Sequence, residues 1–162
     1  MVSLFGPPGV KLPMWFKQHP WGVRVRYTAT NLFAGEQSQG LTKREIGSYS
    51  VNISAPERAM MELLYDVPQR ESYEEAKLLM EGLTTLRPRI VHSLVMSCTS
   101  VKVKRLFMVL AEGCRHPWVK KLDLSGADFG KGKRMLAKGG RFDSKYNITV
   151  PEARQSRPGG RG

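Results

Sequence analysis

Between Ser54 and Gly113 the chain carries four successive segments whose apolar residues recur at helical spacing, each opened by a cap or a proline. This run commits the middle of the molecule to helices and leaves strands to its flanks. Ser54-Ala55-Pro56-Glu57 reads as a capping box: the Ser54 hydroxyl accepts from the Glu57 backbone N–H, Glu57 reaches back, and Pro56 sits where no donor is missed. Met60, Leu63, Leu64 and Val67 then form one apolar face, and Pro68 ends the helix. Ser72-Tyr73-Glu74-Glu75 repeats the device ahead of Ala76, Leu79, Met80 and Leu83. Pro88 opens a third helix with Ile90, Val91, Leu94, Val95 and Cys98 on its buried side. Thr99-Ser100 caps a fourth, from Val101 to about Ala111, which turns Val103, Leu106, Phe107 and Leu110 inward. On that wheel Lys102, Lys104 and Arg105 fall elsewhere.

The flanks follow a period of two. Val23, Val25 and Tyr27 alternate with Arg24, Arg26 and Thr28; residues 34–47 are polar and glycine-spaced, a loop; Tyr49, Val51 and Ile53 alternate again. Ahead of them, Gly6-Pro7-Pro8-Gly9 marks an extended arm, and Trp15, Phe16 and Trp21 are expected to pack on the core rather than stack on bases. After the helices, Arg134–Ala137 is expected to meet Arg141–Val150 in a hairpin turned by Gly139-Gly140. The predicted class is α+β: an N-terminal strand pair, a four-helix central segment and a C-terminal β-hairpin. Residues 152–162, rich in Arg, Pro and Gly, read as a flexible basic tail.

Charge is divided unequally along the chain. Residues 1–81 hold nine basic and nine acidic side chains, whereas residues 82–162 hold 17 basic and five acidic, and so carry the whole net charge of +12. A concentrated positive field steers phosphate-bearing partners and gains from counterion release. The candidate nucleic-acid-binding residues are Lys102, Lys104 and Arg105 at the start of the fourth helix, with Lys131, Lys133, Arg134, Lys138, Arg141 and Lys145 around the closing hairpin. Lys120 and Lys121 lie on its approach. No apolar run reaches the roughly 20 residues of a membrane span, and Met1–Pro8 lacks a basic leader, so a cytoplasmic chain is expected.

Cys98 and Cys114 fit neither a CxxC redox pair nor a zinc-ligand framework, and His19, His92 and His116 are scattered. No metal, cofactor or catalytic residue is expected from them. Two alternatives stand beside nucleic-acid binding: a pure protein-interaction scaffold, and an enzyme, suggested by Asp143-Ser144-Lys145 with Asp128 upstream. Restriction-type nucleases use an acidic residue and an acid-x-Lys triplet to hold Mg²⁺ and activate water. Glu75-Ala76-Lys77 with Asp66 has the same letters, but Glu75 belongs to a predicted cap.

A set of spaced motifs then stands out: Ile53-Ser54-Ala55-Pro56-Glu57-Arg58-Ala59 with Glu62-Leu63-Leu64-Tyr65; Glu81-Gly82-Leu83-Thr84-Thr85-Leu86-Arg87-Pro88; Ser100-Val101-Lys102-Val103-Lys104-Arg105-Leu106-Phe107. His116-Pro117-Trp118, Lys138-Gly139-Gly140 and Lys145-Tyr146-Asn147-Ile148-Thr149-Val150-Pro151 complete it. In this order they resemble the C-terminal domain of the AbiEi family of antitoxins, and Leu12–Phe16 and Asn31–Phe33 extend the likeness to roughly residues 4–151. The resemblance implies a single domain over residues 1–151 acting in a type IV toxin–antitoxin system of abortive infection. It implies repression of an operon and antagonism of a nucleotidyltransferase-like toxin, without catalysis. Such antitoxins carry an N-terminal winged helix-turn-helix that reads the operator; none precedes Leu4 in this chain, so nonspecific contact with DNA is the expectation here.

Overall fold

The computed structural model describes residues 1–35 and 38–152. The order is β1 (Val2–Gly6), α1 (Met14–Gln18), β2 (Val25–Ala29), β3 (Leu41–Ile46), β4 (Tyr49–Ser54), α2 (Pro56–Asp66), α3 (Tyr73–Gly82), α4 (Pro88–Ser97) and α5 (Val101–Cys114). A 3-10 turn (Val119–Lys121) follows, then β5 (Arg134–Met135), β6 (Arg141–Asp143) and β7 (Ile148–Val150). The protein is α+β, with strands on either side of the helical block.

Helix α5 is the axis of the core: residues 103–111 are buried without a break. Helices α2 and α3 pack on it, and α4 packs on α2. Met61, Leu64, Val91, Leu94, Leu106 and Phe107 are wholly enclosed there. In α3 the stripe is narrower than its spacing suggests, because Leu79 stays 47% exposed while Ala76 and Met80 are enclosed.

Two of the predicted caps form. Ser72 Oγ accepts from the Glu75 N–H at 3.0 Å, and Ser100 Oγ from the Val103 N–H at 3.3 Å. The Ser54 capping box does not. Ser54 is the last residue of β4, where pairing with Leu41 holds its backbone in the ladder, and its hydroxyl donates to Glu62 Oε2 at 2.7 Å. Ala55 takes the N-cap position of α2. The Glu57 carboxylate instead serves α4: it accepts from the Arg87 backbone N–H at 2.9 Å and from the Arg87 guanidinium at 2.9 and 3.0 Å.

Burial pushes the Glu57 carboxyl up, but the Arg87 guanidinium and N–H outweigh it and hold the group below the usual 4.5. A carboxyl depressed in the folded state contributes stability that is complete above its unfolded pKa and disappears as pH falls through the folded one. Glu57→Gln should therefore lower the urea midpoint near neutral pH, and the gap from wild type should close on acidification below about pH 4.

Cys98 is 3% exposed, as its place on the apolar stripe requires, and burial pushes its thiol up to about 11. With so little thiolate near pH 8, a disulfide reagent should label Cys98 only as fast as the protein unfolds. Half-exposed Cys114 should react from the native state. Equal rates in a stopped-flow assay would contradict this placement.

The expected N-terminal strand pair is present, as β1 and β2. β1 and β2 run parallel, in register from Val2 opposite Val25 to Gly6 opposite Ala29, with α1 in the crossover. Val23 lies outside the strand and is 54% exposed, while Thr28 is the buried member of β2. Arg26, placed on an outer face by simple alternation, reaches Glu71 at 2.7 Å and Asp66 at 3.4 Å. The segment 34–47, expected as a loop, contains β3, which pairs antiparallel with β4. None of β3 is buried, so it leaves no apolar alternation to read.

At the other end the hairpin forms between β6 and β7, not across Gly139-Gly140. β7 is central, antiparallel to β6 and parallel to β5. The glycines carry the chain from β5 to β6 past the end of β7: Gly139 has φ 70°, and a Cβ on Gly140 would overlap the Val150 carbonyl. The predicted tail lies outside the described residues beyond Glu152. No helix among the described residues is long and apolar enough to cross a membrane.

Candidate nucleic-acid interface

The nine cations singled out in the sequence separate into two groups. Lys104 and Arg105 belong to the interior, and Lys102 is half-buried with its ammonium turned onto the protein. Lys102 Nζ donates to the carbonyls of Tyr65 at 2.7 Å and Val67 at 2.6 Å, closing the C-terminal end of α2 where a positive charge also suits the helix dipole. Burial pushes its ammonium pKa down. Lys104 is 6% exposed. Arg105 is 1% exposed, and its guanidinium donates to Phe129 O at 2.8 Å, Gly132 O at 2.8 Å, Asn147 O at 2.9 Å and Gly130 O at 3.1 Å.

This corrects the helical-wheel placement of the three. A wheel assumes one solvated face, whereas α5 is covered on all sides. The segment before β5 and the β6–β7 turn bring carbonyls onto Arg105, helped by Gly130 and Gly132 at φ 68° and 80°. The closely spaced glycines of Phe129-Gly130-Lys131-Gly132 were the available sign that the backbone here bends tightly around something.

Lys131, Lys133, Arg134, Lys138 and Arg141 stay on the surface. Among the described residues none of them makes an ion pair with a carboxylate; the pairs of this half of the chain are Arg87 with Glu57 and Lys145 with Glu112. Met135, Thr149 and Phe142 stand side by side across the three strands. Their neighbours Ile148 and Val150 are buried, so this row forms the outer face. Met135 is 70% and Phe142 42% exposed, and Lys133 Nζ lies 5.3 Å above the Phe142 ring.

Arg134, on the β5 edge, shares with Lys102 a cleft of about 250 Å³. Arg141, on the β6 edge, lies near Tyr73, whose phenol is pushed up chiefly by burial and pulled back by the arginine. Lys145 is the exception among the hairpin cations. Its Nζ donates to Glu112 Oε1 at 2.6 Å, an oxygen that also accepts from the Tyr146 hydroxyl at 2.6 Å.

The nuclease-like letters are not assembled. Asp128 Oδ1 accepts from the Gly130 N–H at 2.7 Å and Asp143 Oδ1 from the Tyr146 N–H at 3.0 Å, each closing its own turn, while Lys145 is held by Glu112. Among the described residues no group of three His, Cys, Asp or Glu is placed to hold a metal ion. His92 Nδ1 lies 2.6 Å from the Asp123 carbonyl. His116 Nε2 lies 2.8 Å from Met80 O, and Trp118 Nε1 donates to Leu83 O at 2.9 Å, so His116-Pro117-Trp118 closes the end of α3.

Residues 1–151 match a family described as transcriptional regulator, AbiEi antitoxin, type IV toxin–antitoxin system. The chain belongs to the AbiEi antitoxin family. No curated protein and no solved structure matches it. In this AbiEi chain, several residues that carried the likeness build the scaffold: His116 and Trp118 close α3, Lys102 closes α2, and Gly139-Gly140 passes β7. The surface cations of the terminal sheet lie mostly between those motifs.

Proposed function

We propose that this AbiEi-family protein is the cytoplasmic antitoxin of an abortive-infection operon, acting by binding rather than catalysis. It represses its operon through contact with DNA phosphates and opposes a nucleotidyltransferase-like toxin. The observation that carries this is the set of five exposed cations, Lys131, Lys133, Arg134, Lys138 and Arg141, unpaired by carboxylates among the described residues.

Phosphate contact displaces condensed counterions, so duplex binding through these five predicts a slope of log K on log salt near about −4.5. Fluorescence anisotropy of a labelled duplex across a salt series measures it. A flat response would remove DNA from the proposal. Rescue of growth on co-expression with the operon's toxin tests the second half separately, because charge reversal on the sheet should abolish duplex binding whether or not rescue depends on it.

A further inference from the structure

The rings of the β1–β2 crossover do not pack into the core as their sequence suggests. Trp15 is 65% and Trp21 40% exposed. They belong to a continuous ring cluster: Trp15 meets Phe16 edge-on at 5.6 Å, Phe16 meets Trp21 at 4.5 Å, and Trp21 meets His19 at 4.3 Å between centroids. Trp21 Nε1 donates to the Phe16 carbonyl at 2.8 Å, which fixes the ring and uses its one polar atom. What remains for a partner is the π surface.

The segment that carries it is basic. Residues 1–35 include Lys11, Lys17, Arg24 and Arg26 and no Asp or Glu. Arg26 is occupied by Glu71 and Asp66, while Lys11, Lys17 and Arg24 are exposed. A cleft of about 520 Å³ beside the cluster is lined by Lys17, His19, Trp21 and Val23, among others, with no acidic side chain. That volume falls within the roughly 300–1,000 Å³ of small-ligand sites.

A fitting partner presents flat π faces and negative charge together. Unpaired nucleotides do both, since every base has a face to stack and each link carries a phosphate. A duplex keeps its base faces internal. A lipid surface fits less well, because α1 has only five residues, too short for an amphipathic anchor, and a Trp at a bilayer interface uses the polar end that Trp21 has already committed. We infer that residues 11–24 form a stacking platform for unpaired nucleotides of single-stranded DNA or RNA. It is independent of the duplex contact proposed for the terminal sheet, and either can fail alone.

Tryptophan emission tests it. Trp118 is 4% exposed, so quenching on titration reports Trp15 and Trp21. Oligo(dT) and oligo(U) are the probes, with an abasic sugar-phosphate oligomer and anionic phospholipid vesicles as contrasts. The expected result is quenching by oligo(dT), oligo(U) or both, the stronger identifying the source, with much weaker binding of the abasic oligomer. Trp15→Ala and Trp21→Ala should each weaken binding about tenfold, and Trp15→Phe should restore most of it. Trp15 lies outside the core, so Trp15→Ala should melt like wild type and carries the test even if Trp21→Ala misfolds. Equal binding of the abasic oligomer, undiminished binding by Trp15→Ala, or an emission shift with vesicles alone would overturn the inference.

Discussion

Arg105→Met is expected to lower stability by about 3–5 kcal/mol, because it takes the buried guanidinium from the carbonyls of Phe129, Gly130 and Gly132 and leaves Asn147 O with the Arg134 N–H alone, while keeping the side chain's bulk. The loss should be local as well as global. Phe129, Gly130, Gly132 and Asn147 frame the terminal sheet, so hydrogen exchange at Ile148 and Val150 should accelerate more than at Val91 or Leu94. Arg134→Met, which changes an exposed cation two residues past this loop, should change the unfolding free energy measured in urea by no more than about 0.5 kcal/mol. Equal midpoints for Arg105→Met and wild type would mean that the guanidinium does not hold the sheet.

The converse experiment leaves stability alone and removes charge from the surface. Replacing Lys131, Lys133, Arg134, Lys138 and Arg141 together with Gln should flatten the salt dependence of duplex binding almost completely. If all five contact phosphate, wild type weakens about 500-fold between 50 and 200 mM salt, and the variant should hardly change. Lys102→Gln gives the opposite pattern, with a lower melting temperature and an unaltered salt slope. A variant of the five that keeps the wild-type slope would move the DNA contact elsewhere on the molecule.

The helical middle was legible because local chemistry decides it. Ser72 and Ser100 cap the helices their positions announce, Pro88 opens α4, and Cys98 is buried where the stripe puts it. What failed depended on partners distant in the chain. The parallel pairing of β1 with β2 leaves no hairpin signature, and β3 is too exposed to show one. The glycine pair at 139–140 resembles a turn but answers the approach of Val150. For the candidate site, periodicity could identify the core face of α5 but not that the opposite side is covered too. The cations nearest the core were therefore misplaced outward, and the exposed aromatic cluster inward. The cations that remain outside sit in short, charge-rich segments whose solvent exposure composition does suggest.

The fastening of the terminal sheet to α5 has a consequence under acid conditions. At Arg105 the acceptors are peptide oxygens, which take up no proton in the acid range, and the donor keeps its charge throughout; the second link, from Lys145 and Tyr146 to Glu112 of α5, ends on a carboxylate. The α2–α4 junction, held by Glu57, has no such immunity. Acidification should thus loosen the start of α4 while the Arg105 clasp between the last three strands and the central helix persists.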